Sequence, residues 1–323
     1  LEIRVPEGAQ EVRVWVALPQ AAASQRVSRL SVECAYPSRV TKDSAGNEIL
    51  FVEARAPAAG PLRVATSFEL GRTEERHDLE PDRTRPLDDA EKKQFAKELS
   101  GNANVVITQE VRDLAAQILA GERNPVRAAR KLYEWTLEHV ESWVKSPATS
   151  TRSAVGSSEH CLERKTGDAA DVHSLYAALA RAAGIPTRIL YGSLLARGAD
   201  GTDVDARTTC WVEIFAPELG WIPVDVAEAD IFLGDFALTS ENEPLVRAAT
   251  AATYHGPDPE RVRYDFGNVD ERRVLWSIGR DLELEPRTAS GAVNALPKAY
   301  VEIDGKKAAE TTAWKRTLKF EQP

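Results

Sequence analysis

Between Thr166 and Arg188 the sequence reads TGDAADVHSLYAALARAAGIPTR, which sets Asp168, Asp171 and His173 close together on one helical pattern. Two carboxylates and an imidazole at this spacing could move protons or contribute to a metal site. A metal, however, needs more converging ligands than this stretch supplies, so neither a metal nor a cofactor is expected. His173 follows Ala169 by four residues and so lies on the same helix face, one turn further in. Its plain reading is a satisfied, partly buried polar group, with Asp168 capping the helix and Asp171 solvated or paired. The thiols are Cys34, Cys161 and Cys210, and a later carboxylate is Asp225. Cys210 alternates with Val212 and Ile214, which marks it as a buried thiol. Cys161, eight residues before Ala169, is a candidate to lie near a cleft, and a Cys161–Cys210 bridge stays open. Tyr191, Trp211 and Trp221 could form an aromatic wall for a bound peptide or could pack beneath the site.

Composition narrows the classes. A chain of 323 residues with 43% apolar residues is long enough for about two domains. A net charge of −9 gives no field for gathering phosphate backbones, so nucleic acid is not an expected partner. No apolar run approaches the roughly 20 residues a membrane-spanning helix requires. There is no methionine, so the true start is expected upstream of Leu1, consistent with a removed signal peptide or a trimmed chain.

The elements that must position these residues fall in two parts. QEVRVWVALP alternates with period two, with Val12, Val14 and Val16 on one face and Arg13, Trp15 and Ala17 on the other. RVSRLSVECAY, NEILFVEAR and PLRVATSFELGR follow, separated by turn residues, which predicts a β-sandwich over residues 1–76. Residues 77–104 are charged and proline-bearing and read as a linker with a leading helix. From 105 to 323 a core of helices and strands is expected, ending in the strands RRVLWSIG, KAYVEIDG and TLKFEQ. Within it Thr108 and Asn124–Pro125 start helices, and Asp168 caps another that stops at Gly184 with Pro186 beyond. TTCWVEIF and GWIPVDV are strands. Alternation puts Trp221, Pro223 and Asp225 on one face, and residues 226–270 form a partly helical excursion.

Three pieces in fixed order carry a family resemblance. They are Arg181-x-x-Gly184-Ile185-Pro186-x-Arg188, then Trp211-x-Glu213, then Gly220-Trp221-x-Pro223-Val224-Asp225. Over about residues 105–230 the chain resembles the transglutaminase-like superfamily, which shares its core with papain-like thiol enzymes. The later FGNVDERRVLWSIGRDLEL and AYVEIDGK look like the tail of secreted bacterial members. The resemblance implies an α+β fold, an N-terminal β-sandwich followed by helices packed on an antiparallel sheet, and a secreted or periplasmic location, with a cytoplasmic one left open. It also implies a cysteine at the helix start, a histidine on the next strand and an aspartate on the strand after. These positions fall on Ala169, Thr209 and Asp225. Alanine has no nucleophilic atom, and a threonine hydroxyl does not titrate near neutral pH. In a related nucleophile–base system, loss of either member costs about a million-fold in turnover.

The expectation is therefore a degenerate, non-catalytic relative that binds a peptide or protein segment in the former cleft, lined by Asp168, His173, Tyr191, Trp211, Trp221 and Cys161. Two other readings remain. One is a thiol transamidase or peptidase, present as a variant in which Ala169 replaces a cysteine. The other is a structural module of the cell envelope. In the absence of its histidine, Asp225 is expected to contact Thr209 directly or through water. Arg188 and Glu213 are expected to pair.

Overall fold

Alternating valines produce alternating burial. In the computed structural model, which describes residues 1–322, Val12, Val14 and Val16 of the strand Glu11–Ala17 all point into one apolar core with Ile3, Leu50 and Leu62. That core lies between two antiparallel sheets. The first runs Trp314–Lys315, Glu2–Val5, Gly60–Arg72, Gln25–Cys34. The second runs Lys306–Lys307, Ala299–Ile303, Glu11–Ala17, Glu48–Arg55, Ser38–Lys42. The other face of the second sheet is apolar too. Trp15, Phe51 and Tyr300 pack there under Val274, Trp276 and Leu282.

This first unit comprises residues 1–73, 191–208 and 272–323, and the second comprises 74–190 and 209–271. The C-terminal strands therefore belong with the sandwich and not, as chain order suggested, with the helical core of 105–323. The reason is edge pairing. Ala299–Ile303 supplies the neighbour that Glu11–Ala17 lacks, with Val301 opposite Val14, and Trp314 pairs with Ile3. TLKFEQ is not a strand, although Leu318 and Phe320 accept backbone hydrogen bonds from Val204 and Gly201 of the same unit.

The second unit contains eight helices: α1 (Asp89–Gln94), α2 (Gln109–Leu119), α3 (Pro125–His139), α4 (Ser158–Arg164), α5 (Ala169–Ala182), α6 (Val226–Leu233), α7 (Glu243–Ala249) and α8 (Pro259–Tyr264). The capping signals act as written. Thr108 accepts from Val111 N–H, and Asn124 accepts from Val126 and Arg127 N–H with Pro125 in the first turn. α5 is the central helix, buried continuously from Asp171 to Arg181, and it ends at Gly184 in the left-handed region (φ +78°). The hairpin Thr208–Ala216 and Gly220–Val224 lies in this unit, with Glu213 opposite Pro223 and Phe215 opposite Trp221. Nor are residues 77–104 a free linker. Glu75–Arg76 pairs with Asn268–Val269, and a 3-10 turn at Pro81–Arg83 is tied to α3 by Asn124 Nδ2 donating to Pro81 O at 2.7 Å. Among the described residues no helix is long and apolar enough to cross a membrane.

Candidate functional site

The first turn of α5 is built by its two aspartates. Asp168 Oδ1 accepts from Ala170 and Asp171 N–H (2.9 and 3.2 Å), and Asp171 Oδ2 accepts from Asp168 N–H at 3.1 Å, closing a capping box. Of the two states expected for Asp171, solvated or paired, the first does not hold: it is fully buried and hydrogen-bonded. It also takes Ser153 N–H (2.9 Å), Ser157 N–H (2.7 Å) and the Ser153 hydroxyl, and so holds the small-residue loop against the helix. A carboxylate can be buried only when its lone pairs are filled in this way. Gly167 is required by the same packing, because a Cβ there would lie 2.4 Å from Asp171 Cβ. What this framework presents is the partly exposed methyl of Ala169. Burial raises the Asp168 carboxyl above its ordinary value, the Asp171 charge adds to the rise, and its backbone donors and Arg152 oppose it.

One turn deeper, a thiol, an imidazole and a carboxylate do meet. Cys210 Sγ lies 3.5 Å from His173 Nδ1, and Asp225 Oδ1 lies 3.3 Å from His173 Nε2. The sequence reading had kept these three apart, treating His173 as a partly buried polar group and placing Asp225 on the face of Trp221 and Pro223. Asp225 departs from that alternation because the strand has ended. It is the N-cap of α6, accepting from Glu228 N–H at 2.8 Å, and the turn carries it to His173. Glu228 and His173 are thus among its partners.

The trio is sealed. His173 is 0% exposed and Cys210 3%. Val226 N–H donates to His173 Nε2 at 3.2 Å. Nε2 thus meets both a donor, Val226 N–H, and an acceptor, Asp225 Oδ1: a ring that accepts from Val226 carries its hydrogen on Nδ1 toward the sulfur, and one that donates to Asp225 turns its Nδ1 lone pair there. A base for a thiol needs the second of these tautomers.

The remaining candidates scatter. Cys161 is 0% exposed inside α4, and burial pushes its thiol well up, so it does not line a cleft. All three cysteines are free, which removes the Cys161–Cys210 bridge. Trp211 is buried in its strand, and Tyr191 begins the segment that belongs to the sandwich unit. Trp221 packs on Phe215 and Phe95, with ring centroids at 5.5 and 5.7 Å, and Arg188 covers it at 4.1 Å. Arg188 and Glu213 do pair, at 2.5 and 2.6 Å, while burial raises the Glu213 carboxyl against the pull of Arg188. Among the described residues no group of three or more His, Cys, Asp or Glu side chains is arranged to hold a metal. Sequence reasoning missed Ser153 and Ser157. The hint was a serine-rich run just ahead of the capped helix, since such a run can supply donors to a buried carboxylate.

Over nearly its whole length the chain has the fold of a candidate cysteine protease from Cytophaga hutchinsonii. The TM-score is 0.54 at 16% identity, covering 95% of this chain and 86% of that one. The periplasmic domain of TgpA from Pseudomonas aeruginosa overlaps more loosely, with a TM-score of 0.37 at 15% identity over 69% of this chain and 72% of that one. Residues 112–226 match the core-domain model of the transglutaminase-like superfamily. An uncharacterized protein of Haemophilus influenzae is 25% identical over 338 aligned positions, spanning 94% of this chain and 84% of that protein.

Proposed function

We propose that this protein is a non-catalytic member of the superfamily that binds a peptide or protein segment over the first turn of α5. The observation that carries the reading is the contrast between two sites. The capped helix start offers a methyl at Ala169, whereas the thiol that meets an imidazole, Cys210, is enclosed with it away from solvent. A second reading has one observation in its favour. The order Sγ, Nδ1, Nε2, Oδ1 through Cys210, His173 and Asp225 is that of a thiol–imidazole–carboxylate relay, with thiol and ring exchanged between strand and helix.

One experiment separates them. The native protein is treated with iodoacetamide, mapped by mass spectrometry, and assayed for amine incorporation and peptide hydrolysis. The first reading expects Cys34 to be labelled, Cys161 and Cys210 to be spared, and no turnover above background. Rapid Cys210 labelling with turnover that disappears in Cys210→Ala would establish the relay instead. Binding is tested by placing a photo-crosslinking side chain at position 169 and offering glutamine-containing peptides. Crosslinks no stronger than those from an exposed control position would remove the binding claim.

A further inference from the structure

Outside the trio, the second unit has an open-mouthed cavity of about 290 Å³ between α3 and the strap of residues 79–83. Its apolar walls are Leu79, Pro81, Val126 and Phe266, and the charged Glu122, Arg127, Arg130 and Lys131 line the rest. The strap is held in place by the pairing of Glu75–Arg76 with Asn268–Val269 and by the Asn124 bond to Pro81. Leu79 lies directly on Gly267, where a Cβ would come within 2.5 Å of Leu79 Cδ1, so the wall depends on a residue with no side chain.

Arg130 projects into this space. Its guanidinium lies over the Phe266 ring, 3.7 Å from the centroid, and 5.6 Å from that of Tyr133. Among the described residues it has no hydrogen bond and no ion pair within 4.0 Å. The two neighbouring cations are engaged otherwise. Arg127 pairs with Glu122 and Asp82 at 3.1 and 3.3 Å, and Lys131 donates to Leu119 O at 2.9 Å. Burial lowers the Arg130 pKa, and the weaker pull of Tyr133, Glu134 and Tyr176 does not offset it. Stacking occupies the face of a guanidinium and leaves its rim of donors free, in the fork geometry that matches a carboxylate.

We propose that this cavity binds a small monocarboxylate with an apolar body, its carboxylate on Arg130 and its body against Leu79, Val126 and Phe266. A dianion such as phosphate fits less well. Glu122 also lines the cavity, and backbone donors from Asn124 and Arg123 hold its carboxyl below the usual range, so it stays charged. The carboxylate could come from a free acid or from the end of a peptide chain closing in an apolar residue.

Calorimetric titration of the intact chain tests this with 3-phenylpropanoate, its amide, N-acetyl-alanyl-phenylalanine, the amide of that peptide, and inorganic phosphate. At least one carboxylate is expected to saturate the site and to bind about tenfold or more tightly than its amide. Saturation by 3-phenylpropanoate assigns a free acid, and saturation by the peptide alone assigns a chain end. Arg130→Gln is expected to weaken that carboxylate about tenfold and Arg130→Lys less, with unchanged melting curves. Should Arg130→Gln fail to fold, the acid-to-amide ratio on the unaltered chain decides. Equal affinity for acid and amide, binding of phosphate alone, or no saturation by either acid up to about 10 mM would overturn the proposal.

Discussion

If positions 169 and 209 face one another as the family frame implies, putting back a cysteine and a histidine should recreate an activated thiol, and neither change alone should do so. In Ala169→Cys the sulfur would sit at the first residue of α5, where the helix dipole lowers a thiol pKa by at most about 1.5 units, taking about 2 kcal/mol as its upper limit. The Asp168 carboxylate beside it, and Asp171 one position further, push the other way. The single variant should therefore titrate near the ordinary value of about 8.5 and carry a few per cent thiolate at neutral pH. Adding Thr209→His supplies an imidazolium about 4 Å away, worth about 4 kcal/mol at an effective dielectric constant near 20, or roughly 3 units. At pH 6 the thiolate fraction then rises about 200-fold. A lower pKa also makes the sulfur less nucleophilic by about 20-fold, leaving about a tenfold faster alkylation. The assay is the pH–rate profile of iodoacetamide alkylation in a Cys34→Ser background, with Cys161 and Cys210 silent because they are buried. Identical profiles for the single and double variants would refute the register on which the whole functional reading rests.

Three further outcomes follow from the frame. Gly167→Ala forces a methyl to within 2.4 Å of Asp171 Cβ, so urea unfolding should show a loss of about 1–3 kcal/mol; an unchanged midpoint would mean the first turn is looser than it looks. Arg188→Ala strands the buried Glu213 carboxyl and should cost roughly 3 kcal/mol, part of which Arg188→Ala/Glu213→Gln recovers, and absence of that rescue would show that the loss comes from packing on Trp221 instead. Because the Asp168 pKa is raised, the folded state holds that proton more tightly than the unfolded chain does, so stability falls as pH rises from the ordinary carboxylate value through the raised one. Asp168→Asn keeps the cap without the charge, and thermal melts between about pH 3.5 and 7 should show a shallower decline than in the parent chain; parallel curves would remove Asp168 as a source of the dependence.

Local signals were legible and long-range ones were not. The limits of α5 are written in Asp168, Gly184 and Pro186, since caps and stops act within a turn or two of where they stand. The strand holding Cys210, Val212 and Ile214 declares its buried face by alternation alone. By contrast, the home of the C-terminal strands depends on an edge left open about 290 residues earlier, which no local pattern records. The meeting of His173 with Cys210, 37 positions away, depends on how helix and strand are packed together. Asp225 shows where alternation stops being a guide. A residue that follows a strand and caps a helix obeys the helix, so its side chain turns to the Glu228 N–H of α6 and to His173.

The same distinction explains how this frame can persist around a methyl at 169. Asp171 fills its lone pairs with Ser153, Ser157 and the α5 cap, Gly167 makes room for it, and the Arg188–Glu213 pair joins the strand from Thr187 to the hairpin. Each of these contacts stabilises the fold whether or not a sulfur stands at 169. Losing any one would leave a buried polar group without its partner, a cost of about 1–3 kcal/mol against a total margin of about 5–15. A methyl at 169 or a hydroxyl at 209, both partly exposed, leaves no such debt. Stability therefore retains the frame and is indifferent to the nucleophile and the base, so the surviving motif is evidence for the fold and not for turnover.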